Sequence, residues 1–224
     1  GFVNNELDTA SLESFCSGTD GFVTTWYDQS GNGNDAAQAT ASSQPKIVSA
    51  GSTILENGKP AVSYDSSNDI LIISNASSMQ IIGDMYWAQV CNGVSGNTQG
   101  LFIKRIDDNN REYEFRYSQT IQFTYLDSAN RKDFSVTAST AQRLHSINRI
   151  ANTSIDLTIN GSAFTQQSLT GTQATTSSNV GVGGRPEPTF YYGGKMQEIL
   201  LYASDQSSNR TGIETNINTY YSIY

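Results

Sequence analysis

Four glutamates, Glu112, Glu114, Glu187 and Glu198, are the residues of this chain best suited to breaking a bond. Cleaving a glycosidic linkage needs two carboxylates across a cleft, one to protonate the leaving oxygen and one to act as base or nucleophile. No spacing among these four pairs any two of them. Catalysis is therefore the lesser expectation, and no residue receives a catalytic role.

Other residues are suited to holding a ligand unchanged. Tyr113–Tyr117 and Ile121–Tyr125 alternate strictly, so Tyr113, Phe115, Tyr117, Ile121, Phe123 and Tyr125 should face a core. Glu114, Arg116, Gln122 and Thr124 should then face outward as a charged, hydrogen-bonding floor that suits sugar hydroxyls. An ordinary solvated sheet face is the plainer account of the same pattern. The loop Arg185-Pro186-Glu187-Pro188-Thr189-Phe190-Tyr191-Tyr192 is a second surface. Its consecutive aromatics cannot all be buried on a short hairpin, and exposed rings stack on sugar faces or dock a protein partner. The candidate carbohydrate-binding residues are thus Arg185, Tyr191, Tyr192, Glu114, Arg116 and Gln122.

In Trp26-Tyr27-Asp28-Gln29-Ser30-Gly31-Asn32-Gly33-Asn34, oxygen side chains recur at alternate positions around Gly33, as in a calcium loop. The twelfth-position carboxylate is missing, because that place is Ala39. Calcium at Asp28 is an open but disfavoured expectation, no cofactor is assigned, and Asp28 should brace its own turn. Asp65 and Asp69 read the same way. His145 is the single histidine and lies within an apolar strand pattern, where a structural role is the expectation. Gly183-Gly184 precede a Pro-Glu-Pro loop rather than a helix, so a phosphate cradle is unsupported.

The elements that must position these groups are strands. Phe22–Tyr27 is aromatic and β-branched, and Asn57-Gly58 and Asn160-Gly161 mark hairpins. Further strands are expected at Met85–Val90, Leu101–Ile103, Arg143–Ile150, Ile155–Ile159 and Met196–Tyr202. Only the end looks helical, with Ile213, Ile217, Tyr220 and Tyr221 on one face and Thr211…Glu214 as a capping box. The chain divides into a lead-in segment, 1–19, and one β-sandwich, 20–224. Its 224 residues suffice for one large core.

A net charge of −8 argues against nucleic acid as a partner, since no basic stripe is present to displace counterions from phosphates. No apolar run has the length of a transmembrane helix, so membrane insertion is not expected. Cys16 and Cys91 are too few for a disulfide framework; they either pair or remain buried thiols. Gly1 is not an initiator Met, and no charged-then-apolar leader follows, so the chain reads as a fragment or processed product. Scarce charge with abundant Ser, Thr, Asn and Gly is the usage of an extracellular β-protein.

The segment Trp26–Asn34 resembles a signature of concanavalin A-like sandwich domains, the laminin-G-like modules of secreted and phage proteins and the catalytic domain of fungal α-L-arabinofuranosidases. Gly193-Gly194-Lys195-Met196-Gln197-Glu198-Ile199-Leu200-Leu201-Tyr202, with the helical segment after it, is similar to the end of such domains in bacteriophage virion proteins. The resemblance implies an all-β, two-sheet antiparallel jelly roll with a short C-terminal helix. One sheet of that fold is concave and often carries the ligand groove. It implies adhesion or carbohydrate binding without chemistry, outside a cell or on a virion, with a glycan, another cell-surface receptor or other virion proteins as partners. Alternatives are a glycoside hydrolase related to the arabinofuranosidases and a purely structural virion domain. In this family Glu198 is commonly structural.

Overall fold

The computed structural model describes all residues except 5, 94–97, 119–121, 138, 172 and 188, and leaves the side chains of Ser118 and Gln122 undescribed. Two antiparallel sheets stack face to face. The first runs in the order Ser162–Ala163, Ser154–Ile159, Arg143–Ile150, Met85–Cys91, Gly193–Tyr202, Val62–Asp65, Lys46–Ser49, Gly21–Phe22. The second runs Arg131–Ser135, Gln122–Leu126, Arg111–Ser118, Gln99–Arg105, Val180–Val182, Leu71–Ile73, Ala36–Ala37, Thr25–Trp26. Strands distant in sequence are neighbours in space, the mark of the concanavalin A-like jelly roll.

Alternation along the strands builds the core between the sheets. Tyr113, Phe115, Tyr117, Phe123 and Tyr125 are fully buried in it, as their spacing requires, while Ile121 lies outside the described residues. Trp87 of the first sheet stacks on Phe115 of the second, with ring centroids 4.5 Å apart and planes 11° from parallel. Such a pair adds about 0.5–1.5 kcal/mol beyond the apolar area it buries. A polar staple runs beside it: Arg149 donates to the Tyr125 hydroxyl at 3.0 Å, and that hydroxyl donates to Asp127 at 2.9 Å.

Phe22–Tyr27 is not one strand. Gly21–Phe22 closes the edge of the first sheet and Thr25–Trp26 the edge of the second, so the chain switches sheets at Val23-Thr24. Asn57 and Gly58 turn the Leu55–Glu56/Lys59–Pro60 hairpin with φ of 49° and 76°, the paired positive values that a type I′ turn demands. Both cysteines are buried free thiols.

Two helices flank the sandwich, where the sequence pattern points to one. The helix α1, Thr9–Cys16, is capped by Asp8, which accepts from the Ser11 amide at 3.0 Å, and Glu13 ties it to Thr53 at 2.8 Å. Its apolar residues are too sparse to make a stripe, and the cap and the tie hold it in place. The second, α2, spans Arg210–Tyr221 and lies on the outer face of the first sheet. It buries Ile217 and Tyr221 against Tyr86, Ala88, Val90 and Leu144. The stripe runs 213, 217, 221, each four residues on, which leaves Tyr220 41% exposed rather than packed. Glu214 makes no capping box: Asn209 is the cap residue, and Glu214 instead accepts from the buried Ser146 hydroxyl.

His145 sits inside the core against Phe123, its Nε2 hydrogen-bonded to the Tyr117 hydroxyl and its Nδ1 3.6 Å from Cys91 Sγ. Burial, with Arg143 adding to it, pushes the imidazole down to about 3. A folded-state value below the unfolded ~6.5 contributes stability that is present above pH 6.5 and lost as pH falls toward 3. In the folded protein this single imidazole should show no NMR titration between pH 8 and 5, and His145→Gln should flatten the acid loss of stability. A midpoint near 6.5 in the native state would contradict the buried neutral ring.

Candidate functional site

The strand that builds the core on one side builds a charged cluster on the other. Glu114 lies between Tyr113 and Phe115 and therefore points to the outer face of the second sheet. It faces outward as the alternation suggests, but it is fully buried rather than solvated. Four guanidiniums bury it. Oε1 accepts from Arg116 Nη1 at 2.8 Å and Arg185 Nη2 at 3.0 Å. Oε2 lies 3.3 Å from Arg111 Nε and 3.4 Å from Arg105 Nη1.

Local chemistry places each arginine. Asp107 Oδ1 accepts the amides of Asn109 and Asn110 at 2.8 and 3.0 Å, closing the turn that sets Arg105 opposite Arg111. Asp108 braces that pair, 3.0 Å from Arg105 and 2.6 Å from Arg111. Arg185 arrives on the loop after Val180–Val182, whose backbone docks through the Gly100 amide to the Phe190 carbonyl at 2.7 Å. A Cβ on Gly100 would come within 3.1 Å of Gly184 backbone, so the close approach needs glycine. Glu187 of the same loop holds Arg105 Nε at 2.7 Å.

The Phe190 ring covers the cluster, 3.8 Å from the Arg185 guanidinium and 5.3 Å from that of Arg116, within cation–π range. Phe190 holds φ of 58°, a left-handed conformation that costs a bulky residue on the order of 1–3 kcal/mol. Across the sheet, Arg116 registers with Thr124 and Thr124 with Asp133. Asp133 accepts from Thr124 Oγ1 at 2.6 Å and from Arg131 Nε at 2.8 Å. Arg131 keeps a side chain 52% exposed. Five guanidiniums thus meet four carboxylates in direct ion pairs, Asp108, Glu114, Asp133 and Glu187, with the Asp107 carboxylate beside Arg105 as a fifth negative charge. Arg116 Nε is buried there without a hydrogen-bond partner.

The two surfaces read separately from the sequence are therefore one: Glu114 and Arg116 from the sheet and Arg185 from the loop share a carboxylate. Tyr192 does not belong to it. Its ring is fully buried edge-on to Tyr64, 5.8 Å away, and its hydroxyl donates to the Asn92 carbonyl, so it offers no face to a sugar. Tyr191 is half-buried, and Phe190 is the ring over the cluster. Gln122 pairs by backbone with Ser118 and Ser135, and its side chain lies outside the described residues. Sequence reading gave no site role to Arg105, Arg111, Arg131 or Asp133. The available signal for Arg105 and Arg111 was their place at the two ends of the turn that leads into the strand carrying Glu114 and Arg116.

The carboxylates considered for catalysis are otherwise engaged. Glu112 is buried 3.6 Å from Lys104 and accepts the Thr176 amide at 3.1 Å. Glu198 lies on the first sheet, where burial raises its carboxyl and Tyr221 of α2 hydrogen-bonds to it. Glu114 and Glu187 share Arg105, but Glu114 has no exposed surface from which to transfer a proton. Asp28 spends both oxygens on its turn, Oδ1 on the Ser30 amide and Oδ2 on the Ser30 hydroxyl and the Asn34 amide. Burial opposes ionisation there, yet these bonds hold its carboxyl below the ordinary range.

No family model and no curated protein matches the chain. Solved structures do. The chain is similar to the binding domain of Paraclostridial Mosquitocidal Protein 1 (15% identity, TM-score 0.63, covering 91% of this chain and 52% of that one). It is similar to Trypanosoma rangeli sialidase (12%, 0.59, covering 88% and 30%). It is also similar to the CBM40 of Ruminococcus gnavus IT-sialidase bound to α2,6-sialyllactose (13%, 0.52, covering 62% and 87%). The chain spans about a third to a half of the length of the first two. At these identities the likeness shows the fold, a lectin-like β-sandwich.

Removing Glu114 leaves four guanidiniums around a buried site with only the outer carboxylates Asp108 and Glu187 to answer them. Glu114→Gln should destabilise the protein by roughly 3–5 kcal/mol in urea unfolding. Arg131→Ala, which breaks an exposed pair, should cost under about 1 kcal/mol. Equal small effects would show that Glu114 does not organise the cluster.

Proposed function

We propose that this chain is a non-catalytic carbohydrate-binding module whose ligand is an acidic glycan held on the arginine face of the second sheet. One observation carries the reading: five guanidiniums converge on that one face, on a chain whose net charge is −8. Planar guanidinium forks match a carboxylate bidentately, which makes arginine the residue suited to recognising carboxylated sugars. Arg131, half exposed, is the guanidinium of the cluster best placed to meet such a group, with Arg116 in the next row of the sheet. The Phe190 ring beside them supplies an apolar surface for a sugar face.

The fold neighbours agree with this reading. One is a toxin's binding domain, and another, a CBM40, is bound to sialyllactose, itself a carboxylated sugar. The scattered, engaged glutamates support binding over hydrolysis. The module would work outside a cell or on a virion surface, with a cell-surface glycan as partner.

Binding to sialylated and uronic-acid glycans on an array should exceed binding to their neutral methyl esters, and should weaken as salt rises. Arg131→Ala and Arg116→Lys should each reduce it on the order of tenfold while the protein remains folded, because Lys keeps the charge and loses the fork. Unchanged binding in both variants would remove this face as the site.

A further inference from the structure

A second concavity lies on the other sheet, at the end away from α2. Phe22 and Ser63 register with Lys46 from either side, so these three stand side by side on the outer face of the first sheet. With Gln44, Asp65 and Asp69 they line a cleft of about 490 Å³. That lies within the roughly 300–1,000 Å³ of small-molecule sites.

Its carboxylates keep free acceptor oxygens. Asp65 Oδ1 accepts the amides of Ser67, Asn68 and Asp69, which leaves Oδ2 without a partner among the described residues. Asp69 is 7% exposed; its Oδ2 accepts the Asp65 amide at 2.9 Å, and its Oδ1 accepts nothing among the described residues. Burial, with the nearby Asp65 carboxylate adding to it, raises Asp69 to about 6. Gln44 Nε2 donates to the Gln38 carbonyl, leaving Oε1. Phe22 stands at the rim, 50% exposed.

We infer that this cleft is a second saccharide site, selective for a neutral sugar whose hydroxyls donate to Asp65 and Asp69 while one ring face packs on Phe22. Free carboxylate oxygens accept from hydroxyls and have nothing to offer a ligand carboxylate. An acidic sugar is repelled by the two carboxylates, and Lys46, the ammonium that lines the cleft, is already paired with Asp20 at 2.7 Å. A ligand cation is disfavoured for a different reason: Lys46 Nζ already lies 5.6 Å from the Phe22 ring centroid and 2.7 Å from Asp20, filling the cation position at the aromatic ring. The cleft is separate from the arginine face, so either site can fail without the other.

The test is an NMR titration of the ¹⁵N-labelled chain with lactose, cellobiose, xylobiose and mannobiose, and with tetramethylammonium as a cationic probe. At least one disaccharide should shift the amides of Phe22, Lys46, Ser63 and Asp69, and should do so equally in the Arg131→Ala variant. Phe22→Ala and Asp69→Asn should each weaken that binding about tenfold, and Phe22→Trp should restore it. Circular dichroism of each variant separates lost binding from lost folding, with Ser63→Ala as the substitute if Asp69→Asn unfolds. The inference is overturned if no disaccharide perturbs the cleft, if shifts appear only around Arg116 and Arg131, or if tetramethylammonium is the ligand that binds there.

Discussion

A carboxylate cannot be buried alone. Moving one out of water costs several kcal/mol after relaxation, and only close, hydrogen-bonded counter-charges offset it. Glu114 has no exposed surface, so the outer face of the second sheet is arranged around its needs. The arginines come from the two ends of one hairpin, from the same strand as Glu114, and from a loop some seventy residues later. That convergence fixes where the 183–192 loop must land. It also gathers more positive charge than a single carboxylate can neutralise, which Asp107, Asp108, Glu187 and Asp133 answer from around the cluster.

The strand Arg111–Ser118 therefore bears two duties at once. Its odd positions, Tyr113, Phe115 and Tyr117, interlock with Trp87 and His145 across the sandwich. Its even positions, Glu114 and Arg116, hold the loop. A slip of one residue in register would place the glutamate in the aromatic core and the aromatics among the arginines, so the two faces enforce each other's register. Preorganised guanidiniums on such a strand lose little freedom when a ligand arrives, because packing and ion pairs have already fixed their rotamers.

This division explains what was legible in the sequence. Period-two alternation exposed the core face of Tyr113–Tyr117 directly, and Asn57-Gly58 and Asn160-Gly161 announced their hairpins because few other pairs tolerate two positive φ values. The four-residue spacing of Ile213 and Ile217 announced α2, although the stripe continued to Tyr221 and not Tyr220. What stayed illegible depended on distant partners. Nothing local says that Tyr192 turns inward onto Tyr64, or that Arg185 reaches back to Glu114, because both depend on how the loop docks at Gly100. The helix α1 was hidden for a related reason: a cap at Asp8 and the Glu13–Thr53 bond hold it, not an apolar stripe.

The two sheets also divide the protein's charge. The outer face of the first sheet is covered by α2 at one end and carries Asp65 and Asp69 at the other, while the outer face of the second carries the arginines. At physiological ionic strength charges are screened beyond about 8 Å, so an acidic polymer approaching this acidic chain feels mainly the face it meets. Most orientations present carboxylates and are unrewarding. The arginine face is the exception, and Phe190 over Arg185 and Arg116 keeps that positive charge in a partly desolvated setting where each ion pair is worth more than on open surface. Orientation then follows from where the guanidiniums gather, and Glu114, by drawing in four of them, is what gathers them there.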